Sequence, residues 1–274
     1  MPTYRGRFAP SPTGDLHFGS LVAAAASYLD ARRAGGQWLV RIEDLDPPRT
    51  VPGAADRILR TLEAYGFVWD GPVLYQSQRH EAYAAALAQL GDQVYPCGCT
   101  RRELGAGDFY AGTCRHGLRP GRPPRSRRLR VPDREIHWHD RRLGDQVENL
   151  AHTTGDFALK RADGFWAYQL AVVVDDAAQL ITDVVRGADL LTSTARQIYL
   201  QEVLGLPRPR YLHIPVVLDD NGKKLSKQTK AHPVPHPGDP RILAAALRFL
   251  GESIPSETHE IAPIWAGVLT KPLT

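Results

Sequence analysis

Short apolar runs alternate with longer stretches of helical periodicity along the first 90 residues of the chain. A short run that enters a Pro- and Gly-containing loop predicts a strand over residues 5–9, and the run Trp38-Leu39-Val40-Arg41-Ile42 predicts a second. Apolar positions that recur at helical spacing predict helices over 19–33, 53–65 and 78–90. A strand followed by a helix, twice over, is typical of a parallel, doubly wound α/β sheet.

This alternation is interrupted between residues 95 and 160, where Gly, Pro, Arg and three cysteines are concentrated around short strand-like runs. It then returns in elements predicted over 168–178, 181–185, 190–204 and 212–218. We therefore predict an α/β fold in four parts: the first half of a Rossmann-type domain (1–94), an insertion (95–160), the second half (161–230) and a short helical C-terminal segment (231–274).

The composition is that of an ordinary globular protein, since 43% of its 274 residues are hydrophobic and 23% are charged. There is no apolar run of about 18 residues and no apolar signal-peptide core, so we expect a cytoplasmic protein that contacts no membrane. The net charge of +4 permits a polyanionic partner without requiring one. Three cysteines between residues 97 and 114 favour a metal site over disulfides.

Two short signatures carry the candidate chemistry. The first is Pro10-Ser11-Pro12-Thr13-Gly14-Asp15-Leu16-His17-Phe18-Gly19-Ser20, at the predicted turn from the first strand into the first helix. Here Gly19 lets the backbone approach a nucleotide, the helix N-terminus attracts phosphate, and His17 can donate a hydrogen bond to a phosphate oxygen. The alternative is an ordinary strand-to-helix turn with a surface histidine.

The second signature is Lys224-Leu225-Ser226-Lys227, on a Gly-containing loop after the last predicted strand. Lysines on a mobile loop can close on a phosphate and stabilise the charge that develops there. Alone, such a tetrapeptide is more often a solvated basic loop, and its pairing with the first signature is what favours a function.

In this order the two signatures resemble the HIGH and KMSKS motifs of class I aminoacyl-tRNA synthetases. That resemblance implies a ligase that forms an aminoacyl adenylate from ATP, with Mg²⁺ expected. It implies catalytic roles for His17, Gly19, Lys224 and Lys227, and ATP contacts from His17, Gly19, Ser20 and Lys227. The sequence departs from the motifs at Ser20 (His is usual), Leu225 (Met) and Gln228 (Ser).

Further segments resemble the catalytic domain of glutamyl-tRNA synthetases over about residues 4–230: 7–11, 41–46, 168–171, 173–176 and 185–191. By that resemblance, L-glutamate would be bound by Arg7, Ala9, Ser11, Glu43, Tyr168 and Arg186. The chemistry is complementary, because two arginines and one glutamate match the two carboxylates and one ammonium of glutamate.

Only 46 residues follow Gln228, too few for the long anticodon-binding body of those synthetases. A free-standing catalytic domain resembles the glutamyl-queuosine tRNA(Asp) synthetase family. Its members transfer activated glutamate to the queuosine base in the anticodon loop of tRNA(Asp), so that loop, L-glutamate and ATP are the expected partners. A monomer is the default expectation.

The cysteines of the insertion, Cys97, Cys99 and Cys114, have the spacing of a structural Zn²⁺ site. The family resemblance implies Tyr110 as the fourth ligand, whereas residue type alone makes His116 an equal candidate. Three free thiols are the alternative. The ten arginines between Arg115 and Arg142 either contact RNA phosphate or form a solvated surface.

Other functions remain open at the level of sequence. The chain could be a compact glutamyl-tRNA synthetase that charges a tRNA 3′ end, or a catalytically silent paralogue that binds RNA. A nucleotidyltransferase of related fold is more distant, because it gives no reason for two arginines and a glutamate in one pocket.

Overall fold

A computed structural model describes residues 3–104, 109–218, 233–255 and 259–270, and it has a mixed α/β fold. Its strands are β1 (Arg5–Phe8), β2 (Gln37–Ile42), β3 (Leu74–Tyr75), β4 (Val94–Cys97), β5 (Ser126–Leu129), β6 (Glu135–Asp140), β7 (Gly144–Asn149), β8 (Phe157–Lys160), β9 (Asp183–Gly187) and β10 (Arg210–Ile214). Its helices are α1 (Phe18–Arg33), α2 (Ala54–Ala64), α3 (His80–Gln89), α4 (Arg101–Leu104), α5 (Leu150–Thr153), α6 (Tyr168–Ala178), α7 (Leu191–Leu204), α8 (Pro240–Phe249) and α9 (Ile261–Leu269).

The chain folds as two compact units. The first comprises residues 1–77, 181–191 and 209–274, and the second comprises 78–180 and 192–208. The second unit contains the predicted insertion together with α3, α6 and most of α7. No helix among the described residues is long and apolar enough to cross a bilayer.

The first unit is built on parallel strands. β2 pairs with β1 on one side and with β3 on the other, and β9 pairs with β10. The N–H of Thr182 donates to the carbonyl of Arg5 at 2.9 Å, which brings the start of β9 beside β1. Trp38, Val40 and Ile42 of β2 are completely buried, as expected for a parallel sheet covered on both faces.

Helix α1 connects β1 to β2 and is buried around most of its circumference, because it is rich in alanine and leucine. The C-terminal helices α8 and α9 pack against it. The Trp265 ring of α9 lies 4.9 Å from Tyr28 of α1 and 5.1 Å from Phe67. Its indole N–H donates to the Tyr65 carbonyl at 2.8 Å, so the predicted helical C-terminal segment completes this core.

The second unit contains a three-stranded antiparallel sheet in the order β4–β5–β8 and an antiparallel β6–β7 hairpin. A buried carboxylate, Asp175 of α6, accepts hydrogen bonds from Arg79 Nε (2.9 Å) and from the Tyr83 hydroxyl of α3 (2.6 Å). It therefore joins the helices that precede and follow the inserted sheet.

The strand predicted over residues 212–218 is displaced in the structure, where β10 runs from Arg210 to Ile214. Its end has a physical cause. Ile214 pairs with Gly187, the last residue of β9, and the next residue, Pro215, has no N–H to donate to a ladder.

Candidate functional site

Three of the predicted pocket residues lie at one edge of the first unit. Arg7 is on β1, Glu43 follows β2, and Arg186 is on β9, the strand beside β1. β1 is parallel to β2, and the residue before β9 is bonded to the first residue of β1, so the carboxyl ends of these strands lie towards the same edge. Ligands bind at that edge in open α/β sheets. The fold therefore gathers side chains that are up to 179 residues apart in the sequence.

Arg7 and Arg186 are 4% and 5% exposed, so both guanidiniums are held away from bulk water. The Glu43 N–H donates to the Pro10 carbonyl at 3.0 Å, which fastens the end of β2 to the loop after β1. Ala9 is half-buried and Ser11 is exposed on that loop. Two buried cations and a carboxylate at one edge are complementary to a ligand with two carboxylates and one ammonium.

Sequence reasoning missed the partner of Glu43. Arg41 on β2 is completely buried, and its Nη2 lies 3.3 Å from Glu43 Oε1. This contact restrains the Glu43 carboxylate and places a buried cation beside it. A charged residue inside the apolar run Trp38–Ile42 was the available signal, because a buried charge requires a partner.

Arg186 also has a partner that the sequence did not indicate. Its Nε lies 3.1 Å from His213 Nε2, and His213 is completely buried on β10. The guanidinium carbon lies 5.4 Å from the centre of the Tyr211 ring, which is nearly parallel to His213 at 6.2 Å. Arg186 is therefore held in a defined orientation by two aromatic side chains of the neighbouring strand.

The first signature begins helix α1, with His17 as its N-cap. His17 Nδ1 accepts the Ser20 N–H at 3.2 Å, and His17 Nε2 lies 3.0 Å from the Ser20 hydroxyl. Gly19 occupies the first turn, where helix N–H groups are available to an anion. Ser20, the residue that departs from the usual motif, thus contacts the histidine of that motif.

The second signature, including Lys224 and Lys227, lies outside the described residues. The described chain resumes at Pro233, which forms a bridge with His17. Val234, seven residues after Lys227, donates its N–H to the Leu16 carbonyl at 2.8 Å. The chain that follows the second signature is therefore bonded directly to the first.

The remaining predicted pocket residue, Tyr168, belongs to the second unit. It is the first residue of α6 and is half-buried. The next residue, Gln169, is buried and joins α6 to α7 through Ser193 at 3.0 Å and Gln197 at 2.9 Å. These amide contacts fix the start of the helix that carries Tyr168.

A candidate metal centre lies in the second unit. The sulfur atoms of Cys97, Cys99 and Cys114 are buried and lie within 4.8 Å of one another. Cys99 Sγ is 3.6 Å from Cys114 Sγ, close to the separation of about 3.8 Å that a tetrahedral zinc–thiolate site requires. Soft sulfur donors at this spacing fit Zn²⁺.

The phenol oxygen of Tyr110 completes this group. It lies 3.4 Å from Cys97 Sγ and 3.9 Å from Cys99 Sγ. The Tyr110 backbone packs so closely against Gly155 that a Cβ at residue 155 would lie 2.0 Å from the Tyr110 carbonyl oxygen. This packing fixes the position of Tyr110. His116 is exposed and is not part of the group, so the geometry favours Tyr110 over His116 as a fourth ligand.

The protonation of these ligands differs from one to the next. Burial opposes ionisation of Cys97, but hydrogen bonds with Tyr110, the Cys99 backbone and Arg128 outweigh it and lower the pKa to about 7. Burial, with the neighbouring Cys114 thiol, raises the pKa of Cys99 to about 11. Burial also raises the pKa of Tyr110. Metal binding must therefore release protons from this cluster.

The arginines around the cysteine cluster fall into two groups. Several have partners inside the protein: Arg115 with Val131 and Asp156, Arg122 with Glu103, Arg128 with Asp156, Arg130 with Asp92, and Arg134 with Glu202. Five others are exposed and form no ion pair with any described residue: Arg101, Arg102, Arg119, Arg125 and Arg127. We call these five the exposed arginine group.

Comparison with known proteins gives one family. The family model for the catalytic domain of class I tRNA synthetases (E and Q) matches residues 3–107 and 115–261. A glutamyl-Q tRNA(Asp) synthetase of Thiobacillus denitrificans is 59% identical over 267 residues, covering 94% of this chain and 89% of that protein. Another, of Burkholderia mallei, is 60% identical over 266 residues, covering 92% and 89%.

Among solved structures, a glutamate tRNA ligase of Elizabethkingia meningosepticum, in complex with its amino acid, superposes with a TM-score of 0.73 at 32% identity. The match covers 82% of this chain and 52% of the ligase, so the chain spans about half of that enzyme's length.

Proposed function

The chain belongs to the glutamyl-Q tRNA(Asp) synthetases within the class I tRNA synthetase family, and from this premise we propose that it joins L-glutamate to the queuosine base of tRNA(Asp). It is an enzyme of the ligase type. ATP is the expected energy source, Mg²⁺ is expected with ATP, and tRNA as substrate makes the cytoplasm the expected place of action. We expect it to act as a monomer.

The observation that carries this proposal is the position of Arg7, Glu43 and Arg186 at the carboxyl ends of β1, β2 and β9. Glu43, supported by Arg41, would bind the α-ammonium of glutamate. Arg186 would bind the side-chain carboxylate, with Arg7 nearby, and Ala9 and Ser11 would line the same pocket. The role of Tyr168 is proposed from its sequence motif alone. Glutamine would be rejected because its amide leaves a buried arginine poorly paired.

In the first step, the α-carboxylate of glutamate attacks the α-phosphorus of ATP. The bond to the bridging oxygen breaks, and pyrophosphate leaves with the electron pair. No general base is needed, because a carboxylate of pKa about 4 is already ionised at neutral pH. The protein must align two anions and neutralise the charge that develops between them.

The first signature suits that task. The N–H groups at the start of α1, including that of Gly19, would meet a phosphate at the positive end of the helix dipole. His17 would exchange its contact with the Ser20 hydroxyl for a phosphate oxygen. Lys224 and Lys227 would bind the leaving pyrophosphate, and the Val234–Leu16 bond supports their approach to this point.

In the second step, a hydroxyl of the queuosine ring attacks the carbonyl carbon of the adenylate. An ester forms, the bond to phosphate breaks, AMP leaves, and the hydroxyl proton passes to solvent. The cysteine cluster would hold a structural Zn²⁺, since Cys97, Cys99, Cys114 and Tyr110 leave no open position for substrate in a four-coordinate site.

We assign RNA contact to the exposed arginine group. Arg101 and Arg102 follow Cys99 by two and three residues on α4. Arg125 is bonded through its N–H to the Cys97 carbonyl at 2.9 Å, and Arg127 pairs with Pro96 across β4 and β5. The Zn²⁺ site would therefore hold a cationic surface in place. Guanidiniums that form no ion pair with the described residues can bind RNA phosphate through charge.

The test is transfer of labelled L-glutamate, with ATP, to tRNA(Asp) that contains or lacks queuosine. We expect label only on the queuosine-containing tRNA. Glutamate-dependent ATP–pyrophosphate exchange should be abolished in R186A and kept in R60A, which removes an exposed arginine of α2. Label on tRNA(Glu) would instead show 3′-end charging, and no label on any tRNA would show a silent paralogue.

A further inference from the structure

His213 on β10 is buried against Arg186 on β9, and nothing in the proposed reaction yet uses it. The two residues are directly paired in the parallel register of these strands. The Arg186 Nε lies 3.1 Å from His213 Nε2, and neither side chain is exposed by more than 5%. This contact is a candidate second determinant of the glutamate pocket.

The chemistry of the contact fixes the state of the histidine. A guanidinium nitrogen only donates hydrogen bonds, so His213 Nε2 must accept with its lone pair. The imidazole is therefore neutral, with its proton on Nδ1. A protonated ring would present N–H to N–H and would add a second positive charge beside Arg186.

The contact also decides which side of Arg186 can meet a substrate. A guanidinium can bind a carboxylate bidentately either through Nε and one Nη or through its two Nη groups. Because Nε donates to His213, a carboxylate bound bidentately by Arg186 has to meet the edge formed by Nη1 and Nη2. Nη1 and Nη2 each direct an N–H towards the ligand, and the two oxygens of a carboxylate can accept both hydrogen bonds. A carboxamide has one oxygen that accepts, but its NH₂ group donates and would be repelled by the second N–H.

We infer that His213 is a positioning residue that orients Arg186 for recognition of the glutamate side-chain carboxylate, an inference that rests on the proposed function. Tyr211 supports the arrangement, because its ring lies under the Arg186 guanidinium and is nearly parallel to His213, with an angle of 12° between the rings. Without the acceptor at His213, Nε loses this hydrogen bond and the guanidinium loses one restraint on its orientation.

A pair of amide variants tests the inference. His213→Gln places an amide oxygen near the position of Nε2, whereas His213→Asn is one methylene shorter and cannot reach Arg186. His213→Phe keeps a ring to stack on Tyr211 but provides no acceptor. Each protein is assayed for glutamate-dependent ATP–pyrophosphate exchange, with KM and kcat measured separately for glutamate and glutamine, and for glutamate binding by calorimetry.

We expect His213→Asn and His213→Phe to raise the KM for glutamate by about ten- to hundredfold, since a buried charged hydrogen bond is lost, with a smaller change in kcat. Discrimination against glutamine should fall in both, and His213→Gln should restore the wild-type KM and discrimination. Because the Gln and Asn variants differ by one methylene, a general loss of stability would affect them alike.

The inference is overturned if all three variants keep the wild-type KM and selectivity, or if His213→Gln fails as completely as His213→Asn. It is also overturned if the variants keep the wild-type KM and their kcat falls only in proportion to the fraction of protein that is folded. Wild-type protein that neither binds nor activates glutamate overturns the proposed function as well, whereas normal wild-type exchange with unaffected variants overturns the inference alone.

Discussion

The guanidinium carbon of Arg128 lies 3.9 Å from the centre of the Tyr110 ring, so a cation covers one face of the phenol beside the three cysteines. The N–H of Cys114 donates to the same phenol oxygen at 2.9 Å. A nearby cation and an N–H donor both favour a phenolate, the form that binds a metal. The Cys114 N–H also opposes the effect of burial, which raises the Tyr110 pKa.

Tyr110→Phe should therefore weaken Zn²⁺ binding by at least about tenfold while leaving the three thiolates in place. Zinc content and competition with a chromogenic chelator measure the effect. His116→Ala is the matched control and should bind zinc like the wild-type protein. The assignment of Tyr110 is contradicted if His116→Ala loses zinc and Tyr110→Phe does not.

Glu43→Gln should impair glutamate binding, because it removes the negative charge that Arg41 holds beside the strand end. We expect the KM for glutamate in ATP–pyrophosphate exchange to rise by about ten- to hundredfold, the loss associated with a charged hydrogen bond. Glu63→Gln, on the exposed side of α2, is the control. Equal KM values for the two variants would show that Glu43 does not bind glutamate.

Replacing Arg101 and Arg102 together by Gln should weaken tRNA binding without altering glutamate activation. Each lost phosphate contact should reduce the slope of log affinity against log salt by about 0.7–0.9. Binding is measured across a salt series, and exchange without tRNA serves as the second readout. Arg142→Gln, an exposed arginine of the β6–β7 turn, should keep the wild-type slope. An unchanged slope in the double variant would show that these arginines bind no phosphate.

Trp265→Ala should destabilise the first unit by about 3–5 kcal/mol, the usual cost of removing a large buried aromatic side chain. The indole is 6% exposed and touches both Tyr28 and Phe67. Urea unfolding measures the loss. Phe249→Ala, whose side chain is 40% exposed, should cost less than about 1 kcal/mol. Similar values for the two variants would show that α9 does not complete the core.

The Asp239 carboxyl should make the free energy of unfolding depend on pH in acidic solution. Hydrogen bonds from the Arg241 side chain and backbone N–H lower its pKa to about 2, from an ordinary value of 3.8. A lowered folded-state pKa stabilises the fold above pH 3.8, and this contribution is lost as the pH falls towards 2. Thermal melting of Asp239→Asn, which keeps the α8 N-cap, should show a shallower decline over that window than wild type. An identical decline would contradict this account.

The alternation of strands and helices in the first unit was predictable because its periodicity is strong and its loops contain Pro and Gly. The β6–β7 hairpin was missed, although Glu135–Asp140 alternates buried and exposed residues in the manner of a half-buried strand. That signal is short, and it lies in a segment where charge dominates the composition.

The site was predictable only in part. Arg7, Glu43 and Arg186 follow from short motifs, and their predicted roles remain predictions. Arg41 left a signal in its own strand, but His213 left none, because its contact with Arg186 depends on the register of β9 and β10 across 27 residues. Strand register is set by tertiary packing, and one sequence does not reveal it.

The bond between Thr182 and Arg5 has a consequence for how the protein is made. It joins residues that are 177 positions apart in the chain, so a ribosome must synthesise residues 78–180 of the second unit before β9 can dock beside β1. Until then, one edge of β1 has no strand to pair with, and the entropy of closing so long a loop makes this docking a late event. The proposed glutamate pocket, which needs Arg186 of β9, would therefore form only late in the synthesis of the chain.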